Sequence, residues 1–117
     1  MNKRRAKGNR IQRKLIDEMQ RDGFIVSKAE SGGKFNPEKD LFGLFDLVAI
    51  DCVSNKGAVH FIQVTTNRPH KHSDYQEFVD QCVPKAVVVQ VVWYDRRGWK
   101  KFFYQPNTKP IIVDARK

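Results

Sequence analysis

The amino-acid sequence predicts an α/β protein in which helices flank a β-sheet, with the leading elements in the order αβββαβ. Apolar residues near the start recur every four positions, which is the helical period. The segments 46–51, 60–65 and 86–94 are instead rich in the β-branched residues typical of strands. A chain of 117 residues suits one compact domain. We therefore expect a single domain built around one sheet.

The first predicted helix begins at Asn9, which can act as its N-cap, and presents apolar residues along one face from Ile11 to Met19. The helix is expected to end near Gly23, because glycine commonly terminates helices. The apolar, β-branched segment 24–27 then predicts the first strand.

A loop from Lys28 to Lys39 follows, and its glycine, asparagine and proline content predicts flexibility. A loop of this length beside a site could clamp a substrate, or it could be a simple surface connection. Asp40, at its end, could either bind a metal ion or cap a short turn at Gly43.

Two central strands carry the polar residues of greatest interest. The first is nearly all apolar after Asp46, as expected of a strand buried on both faces. The second alternates, so that Phe61, Gln63 and Thr65 share one face, and the turn 54–57 joins the two as a hairpin. Adjacent strands can aim such oxygen ligands at one point, which is what a hard cation needs in phosphodiester hydrolysis.

The second half of the chain predicts another helix and further strands. Ser73 and Gln76 form a capping box, and the helix that they start should end before Pro84. Strands are expected at 86–94 and 99–104.

The two cysteines, Cys52 and Cys82, fall in apolar surroundings, which predicts free and buried thiols in a reducing compartment. No apolar run has the length of a signal peptide or of a membrane span. We therefore expect a soluble protein of the cytoplasm.

The chain is strongly basic, with 22 Lys and Arg against 13 Asp and Glu and a formal charge of +9. Such a charge favours an anionic partner, nucleic acid first, although it could also reflect a requirement for solubility or heat adaptation. Residues 1–8 are expected to form a basic N-terminal arm, which could bind phosphates or remain a disordered tail. The basic residues predicted to contact DNA are Lys3, Arg4, Arg5, Lys7, Arg10, Arg13, Arg68 and Lys71.

The spacing of the two central strands resembles the core of the PD-(D/E)XK nucleases, in which an Asp opens one strand and Glu-x-Lys lies in the next. Asp46 takes the Asp position, Gln63 the Glu position and Thr65 the Lys position. One of the three signature residues is therefore intact, and the core has the degenerate form D…QxT.

Other segments are similar to archaeal-type Holliday junction resolvases. Lys7-Gly8 precedes the first helix, Gln12 stands where the family has an acid on that helix, and Ser31-Gly32-Gly33 follows the first strand. The resemblance covers roughly Lys7 to Tyr104. It implies a restriction-endonuclease-like core, with a central mixed β-sheet flanked by helices.

The resemblance also implies domain bounds. Residues 9–104 would form the nuclease-like domain, and residues 105–117 would add a C-terminal edge strand or an arm used in dimer contact.

The resemblance further implies a metal-dependent, structure-selective DNA endonuclease, a homodimer that uses Mg²⁺ or Mn²⁺ on branched DNA in recombination or repair. Asp46, Gln63 and Asp40 are the expected metal ligands, Thr65 would orient the attacking water, and Gln12 would complete the site. Gln63 brings no negative charge and Thr65 no positive charge, so other residues would have to compensate. The auxiliary candidates are Glu30, Glu38, Asp40, Lys34, Lys39 and Arg68.

Two alternatives remain open at this stage. The protein could be a catalytically inactive DNA-binding protein that retains the nuclease fold, or an interaction module whose basic charge is incidental. The nuclease and the inactive binder both predict salt-sensitive DNA binding, and the interaction module does not.

Overall fold

A computed structural model of the chain describes residues 3–29, 42–82 and 84–114, with side chains from residue 8 onward. The described residues form two helices and six strands. In chain order these are α1 Lys3–Arg21, β1 Phe24–Lys28, β2 Leu47–Asp51, β3 Val59–Thr66, α2 His72–Cys82, β4 Val87–Tyr94, β5 Gly98–Tyr104 and β6 Ile111–Asp114. The predicted order αβββαβ is confirmed, and the two strands expected after it are present.

All six strands join in one sheet, in the order β1-β2-β3-β4-β5-β6. Every neighbouring pair is antiparallel except β3 and β4, which run parallel because α2 carries the chain back between them. The predicted mixed sheet is therefore confirmed, with β1 and β6 as its edges.

The sheet buries a separate apolar cluster on each face. On one face, Leu15 and Ile16 of α1 pack against Leu47, Ile62 and residues of β4. On the other face, Tyr75 and Val79 of α2 pack against Phe45, Val92 and residues of β5. Neighbouring side chains of a strand point to opposite faces, so β3 turns Ile62 toward α1 and Phe61 toward α2.

Two sequence-based expectations are wrong in detail. The first helix begins at Lys3 rather than Asn9, so it covers most of the segment expected to be an arm. Cys52 and Cys82 are free, as predicted, but exposed rather than buried. Cys52 lies in the loop after β2 and Cys82 in the last turn of α2, where the apolar neighbours in sequence do not enclose the thiol.

The connection around β2 is held by Asp51, whose carboxylate accepts hydrogen bonds from the N–H groups of Val53, Ser54 and Asn55 at 2.9 to 3.0 Å. This confirms the prediction of a turn there and fixes the hairpin that sets β2 against β3.

The described part of the chain contains no helix long and apolar enough to cross a membrane.

Candidate active site

Asp46 lies immediately before β2 and is held by three hydrogen bonds to neighbouring strands. Its N–H donates to the Ile62 carbonyl at 2.9 Å, and its own carbonyl accepts from Ala29 at 2.7 Å. The Val64 N–H donates to Asp46 Oδ2 at 3.2 Å. The carboxylate is therefore fixed against the main chain of β3, as the pairing of the two strands predicted.

Gln63 lies on β3 between the two residues that contact Asp46. It is 5% exposed, and its Nε2 donates to the Val64 carbonyl over a long 3.4 Å. Its Oε1 is buried without a hydrogen-bond partner in the described structure. A buried acceptor without a partner is costly, because it has lost its bond to water and gained nothing in exchange.

Thr65 uses its hydroxyl proton in a contact with the main chain, and its role in orienting water stays a prediction. Its hydroxyl donates to the Arg68 carbonyl at 2.8 Å and so closes the turn that follows β3. The side chain is 9% exposed and lines a cleft of about 300 Å³. The residues around this cleft are Gly8, Val64, Thr65, Thr66, Arg68 and His70. The lining therefore includes Thr65 and Arg68 but neither Asp46 nor Gln63.

Gln12 is half-buried on α1, one turn after Gly8. Gly8, rather than Gln12, lines the cleft. The role of Gln12 therefore stays a prediction.

Several predicted site residues lie outside the described part of the chain. They are Glu30, Lys34, Glu38, Lys39 and Asp40. The side chains of Lys3, Arg4, Arg5 and Lys7 also lie outside it. Arg10 and Arg13 are exposed on α1, and Arg68 and Lys71 are exposed in the loop after β3.

That loop, residues 67–71, is here called the basic loop, and a buried network fixes it. Gln90 on β4 is fully buried, and its Oε1 accepts the His70 N–H at 2.5 Å while its Nε2 donates to the Tyr104 hydroxyl at 3.0 Å. The Tyr104 hydroxyl also contacts His72 Nδ1 at 2.6 Å, at the start of α2. Burial raises the pKa of Tyr104 to about 12 although the bond from Gln90 opposes this.

Sequence reasoning missed this network, although one signal was available. Gln90 is the only polar residue in the otherwise apolar run Val87–Val92. A polar side chain inside a fully buried strand requires a hydrogen-bond partner, and that requirement pointed to a structural or functional contact. Gln90 of β4 lies opposite Gln63 of β3 in the sheet.

Asp46 and Gln63 carry oxygen atoms of the kind that bind a divalent cation together with a substrate phosphate. Mg²⁺ in such sites is held by one or two carboxylates, with waters and phosphate oxygens completing its shell. Asp46 offers a carboxylate, and Gln63 offers a buried amide oxygen that lacks a hydrogen bond. Within residues 8–29, 42–82 and 84–114, no three His, Cys, Asp or Glu side chains converge on one point. The described protein groups alone would therefore bind a cation weakly.

Comparison with solved structures places this arrangement in a known fold. The chain is similar to the structure of Hjc, a Holliday junction resolvase from the archaeal hyperthermophile Archaeoglobus fulgidus, with a TM-score of 0.56. The similarity covers 92% of this chain and 88% of that one, at 19% sequence identity. The chain has the restriction-endonuclease-like fold. No protein-family model and no curated protein matches the sequence.

Asp46 lies just before β2, and Gln63 and Thr65 lie in the second half of β3. At 19% identity the likeness speaks for the fold alone. The degenerate D…QxT core is therefore a property of this chain whose chemistry has to be argued from its own residues.

Proposed function

We propose that this protein binds branched DNA and cleaves it as a metal-dependent endonuclease, working as a homodimer. The observation that carries the proposal lies at the site: the Asp46 carboxylate accepts the N–H of Val64, the residue after Gln63, and the buried Oε1 of Gln63 has no hydrogen-bond partner in the described structure. The fold shared with a Holliday junction resolvase and the formal charge of +9 support a DNA substrate.

Hydrolysis adds a water oxygen to phosphorus and breaks a P–O bond, so negative charge grows on the phosphate. A bound Mg²⁺ or Mn²⁺ would supply positive charge to that phosphate and lower the pKa of a bound water. Asp46 and Gln63 would hold the ion through one carboxylate oxygen and one amide oxygen. Arg68, which borders the cleft, would bind the phosphate and provide part of the charge that a lysine at position 65 would bring.

Thr65 keeps a positioning role in this scheme. Its hydroxyl proton is used by the Arg68 carbonyl, so only its oxygen lone pairs can accept a hydrogen bond from a water. Thr65 therefore holds the turn that presents Arg68, and it can orient a water only as an acceptor.

A second candidate function is DNA binding without cleavage. It is favoured by the same Thr65 contact, because a hydroxyl engaged with the main chain stabilises the loop and cannot stabilise developing charge. Loss of one positioned electrostatic group commonly costs about 10²–10³ in rate. The binder would keep the basic loop and the fold.

One experiment distinguishes the endonuclease from the inactive DNA binder. Labelled four-way-junction, flap, duplex and single-stranded DNA are incubated with the protein in Mg²⁺, in Mn²⁺ and in EDTA, and binding is measured in parallel over a range of salt. Metal-dependent cutting of branched substrates supports the endonuclease. Salt-sensitive binding with no cutting in either metal supports the binder, and the absence of binding contradicts both.

A further inference from the structure

The turn between β4 and β5, residues 95–97, lies at the same end of the strands as the candidate active site. In the sheet, Thr66 at the end of β3 is opposite Trp93 of β4, and Tyr94 is opposite Gly98. The turn therefore continues the surface that begins at the basic loop, residues 67–71.

Asn67 and Asp95 join the two segments by reciprocal hydrogen bonds. Asn67 Nδ2 donates to Asp95 Oδ2 at 3.1 Å, and the Asp95 N–H donates to Asn67 Oδ1 at 3.0 Å. The Asn67 N–H also donates to the Trp93 carbonyl at 2.7 Å. Since Arg68 follows Asn67 and Arg96 follows Asp95, these bonds hold the two arginine-bearing segments side by side.

The turn presents positive charge to solvent. Arg96 and Arg97 are both exposed, whereas Asp95, the carboxylate of the turn, accepts a bond from Asn67. The Nζ of Lys14 on α1 lies over the Trp93 ring, 5.1 Å from its centroid. Cations from α1, the basic loop and the turn thus surround one end of β3 and β4.

Exposed arginines on a rigid backbone suit the phosphates of nucleic acid, because the guanidinium fork binds phosphate oxygens in pairs and reads no base. We propose that Arg96 and Arg97 form a second phosphate-binding wall of the DNA site and hold a duplex arm of the junction beside Arg68. This inference rests on the proposed function and names the part of the surface that its DNA partner covers.

The backbone of the turn determines which substitutions test this cleanly. Arg96 has a φ of +67°, in the left-handed region, where asparagine is among the best tolerated side chains. The double variant Arg96→Asn with Arg97→Ser therefore removes two charges while respecting the turn. A matched control is Lys56→Asn with Lys85→Ser, because both lysines are exposed and lie at the opposite end of the strands, just before β3 and β4 begin.

Binding of a labelled four-way junction is measured by fluorescence anisotropy in EDTA, over a series of KCl concentrations, with circular dichroism to confirm folding. The Arg96/Arg97 variant should bind about tenfold or more weakly near 0.1 M salt, and its slope of log K against log salt should be shallower by about 2. The Lys56/Lys85 control should lose about threefold or less.

Equal losses in the two double variants, or an unchanged salt slope in the Arg96/Arg97 variant, would overturn this inference and leave the proposed function standing. Failure of the wild-type protein to bind the junction would overturn the proposed function and the inference together. A loss confined to the Arg96/Arg97 variant supports the second wall.

Discussion

Gln90 binds His70 through both backbone polar groups of that residue. The Gln90 Oε1 accepts the His70 N–H at 2.5 Å, and its Nε2 faces the His70 carbonyl at 3.4 Å. A fully buried side chain of β4 thereby fixes the loop that carries Arg68 and Lys71. The position of the basic loop is consequently set from inside the protein rather than by its own exposed residues.

Replacement of Gln90 by Leu should therefore lower the free energy of unfolding by about 2–4 kcal/mol, because the His70 N–H would lose its acceptor and the Tyr104 hydroxyl would lose one of its two partners. Urea denaturation followed by circular dichroism measures the change. Gln105→Leu, at an exposed glutamine, is the matched control and should change stability by about 0.5 kcal/mol or less. Similar losses in the two variants would contradict the conclusion that the buried Gln90 fixes the basic loop.

Gln63→Glu should make the stability of the protein depend on divalent metal. The position is 5% exposed, so a new carboxylate there would be desolvated and would cost about 1–3 kcal/mol in EDTA. Mn²⁺ should recover most of this loss, since the ion would then lie between two carboxylates, at residues 46 and 63.

Thermal unfolding in EDTA and in millimolar Mn²⁺ tests this, with Gln20→Glu on the exposed face of α1 as the control. Mn²⁺ should raise the melting temperature of the Gln63→Glu variant more than that of the control. An equal rise in the two proteins would show that this carboxylate does not face a cation site.

Stability should fall as the pH drops below about 6.5. Burial is the main cause that lowers the pKa values of His60 and His72, and nearby Lys100 lowers that of His72 further. A histidine whose pKa is lower in the folded state binds its proton preferentially when unfolded, so stability is lost as pH falls from the unfolded pKa through the folded one. Asp51, whose pKa is lowered chiefly by the Val53 N–H, adds a further loss only below about 3.8.

Urea denaturation at pH 7.5, 6 and 5 measures this loss. His72→Gln should reduce the loss between pH 7.5 and pH 5, because it removes one titrating group while keeping a polar side chain beside Tyr104. An identical pH dependence in wild type and His72→Gln would contradict the assignment.

Gly23→Ala and Gly8→Ala should change stability in opposite directions. Gly23 has a φ of +94°, and an added Cβ would lie 2.3 Å from Val53 Cγ2, so alanine should cost about 1–3 kcal/mol. Gly8 lies within α1 with nothing near its missing Cβ, and alanine there should add about 0.5–1 kcal/mol. Denaturant midpoints give both values, and a neutral Gly23→Ala would disprove the strain at the start of β1.

Local pattern and turn chemistry predicted most of the fold. The apolar run after Asp46 and the alternation in β3 are signals carried by neighbouring residues, and both strands form. The second helix also forms, but it begins at His72 rather than after a Ser73 cap, and Gln76 Nε2 donates to Asp80 and to the Gln105 carbonyl. The start of α1 was missed because Asn9 offers a later cap, and the basic residues before it can either continue a helix or remain unfolded.

The candidate site was only partly predictable for a related reason. The adjacency of Asp46 and Gln63 follows from two neighbouring strands, and a family resemblance supplied their roles. The contact of Thr65 with Arg68 and the contact of Gln90 with His70 depend on how the basic loop folds back over the ends of the strands. Such contacts join residues from different elements, and sequence periodicity carries no information about them.

The central claim, that Asp46 supports metal-dependent cleavage, is tested most directly by comparing wild type with Asp46→Ala on a labelled four-way junction in Mg²⁺, Mn²⁺ and EDTA. The account predicts cutting by wild type that requires metal and that falls by about 10³ or more in the variant, with junction binding in EDTA largely retained. Equal cutting by the two proteins, or none by wild type in either metal while it binds the junction tightly, would contradict the claim.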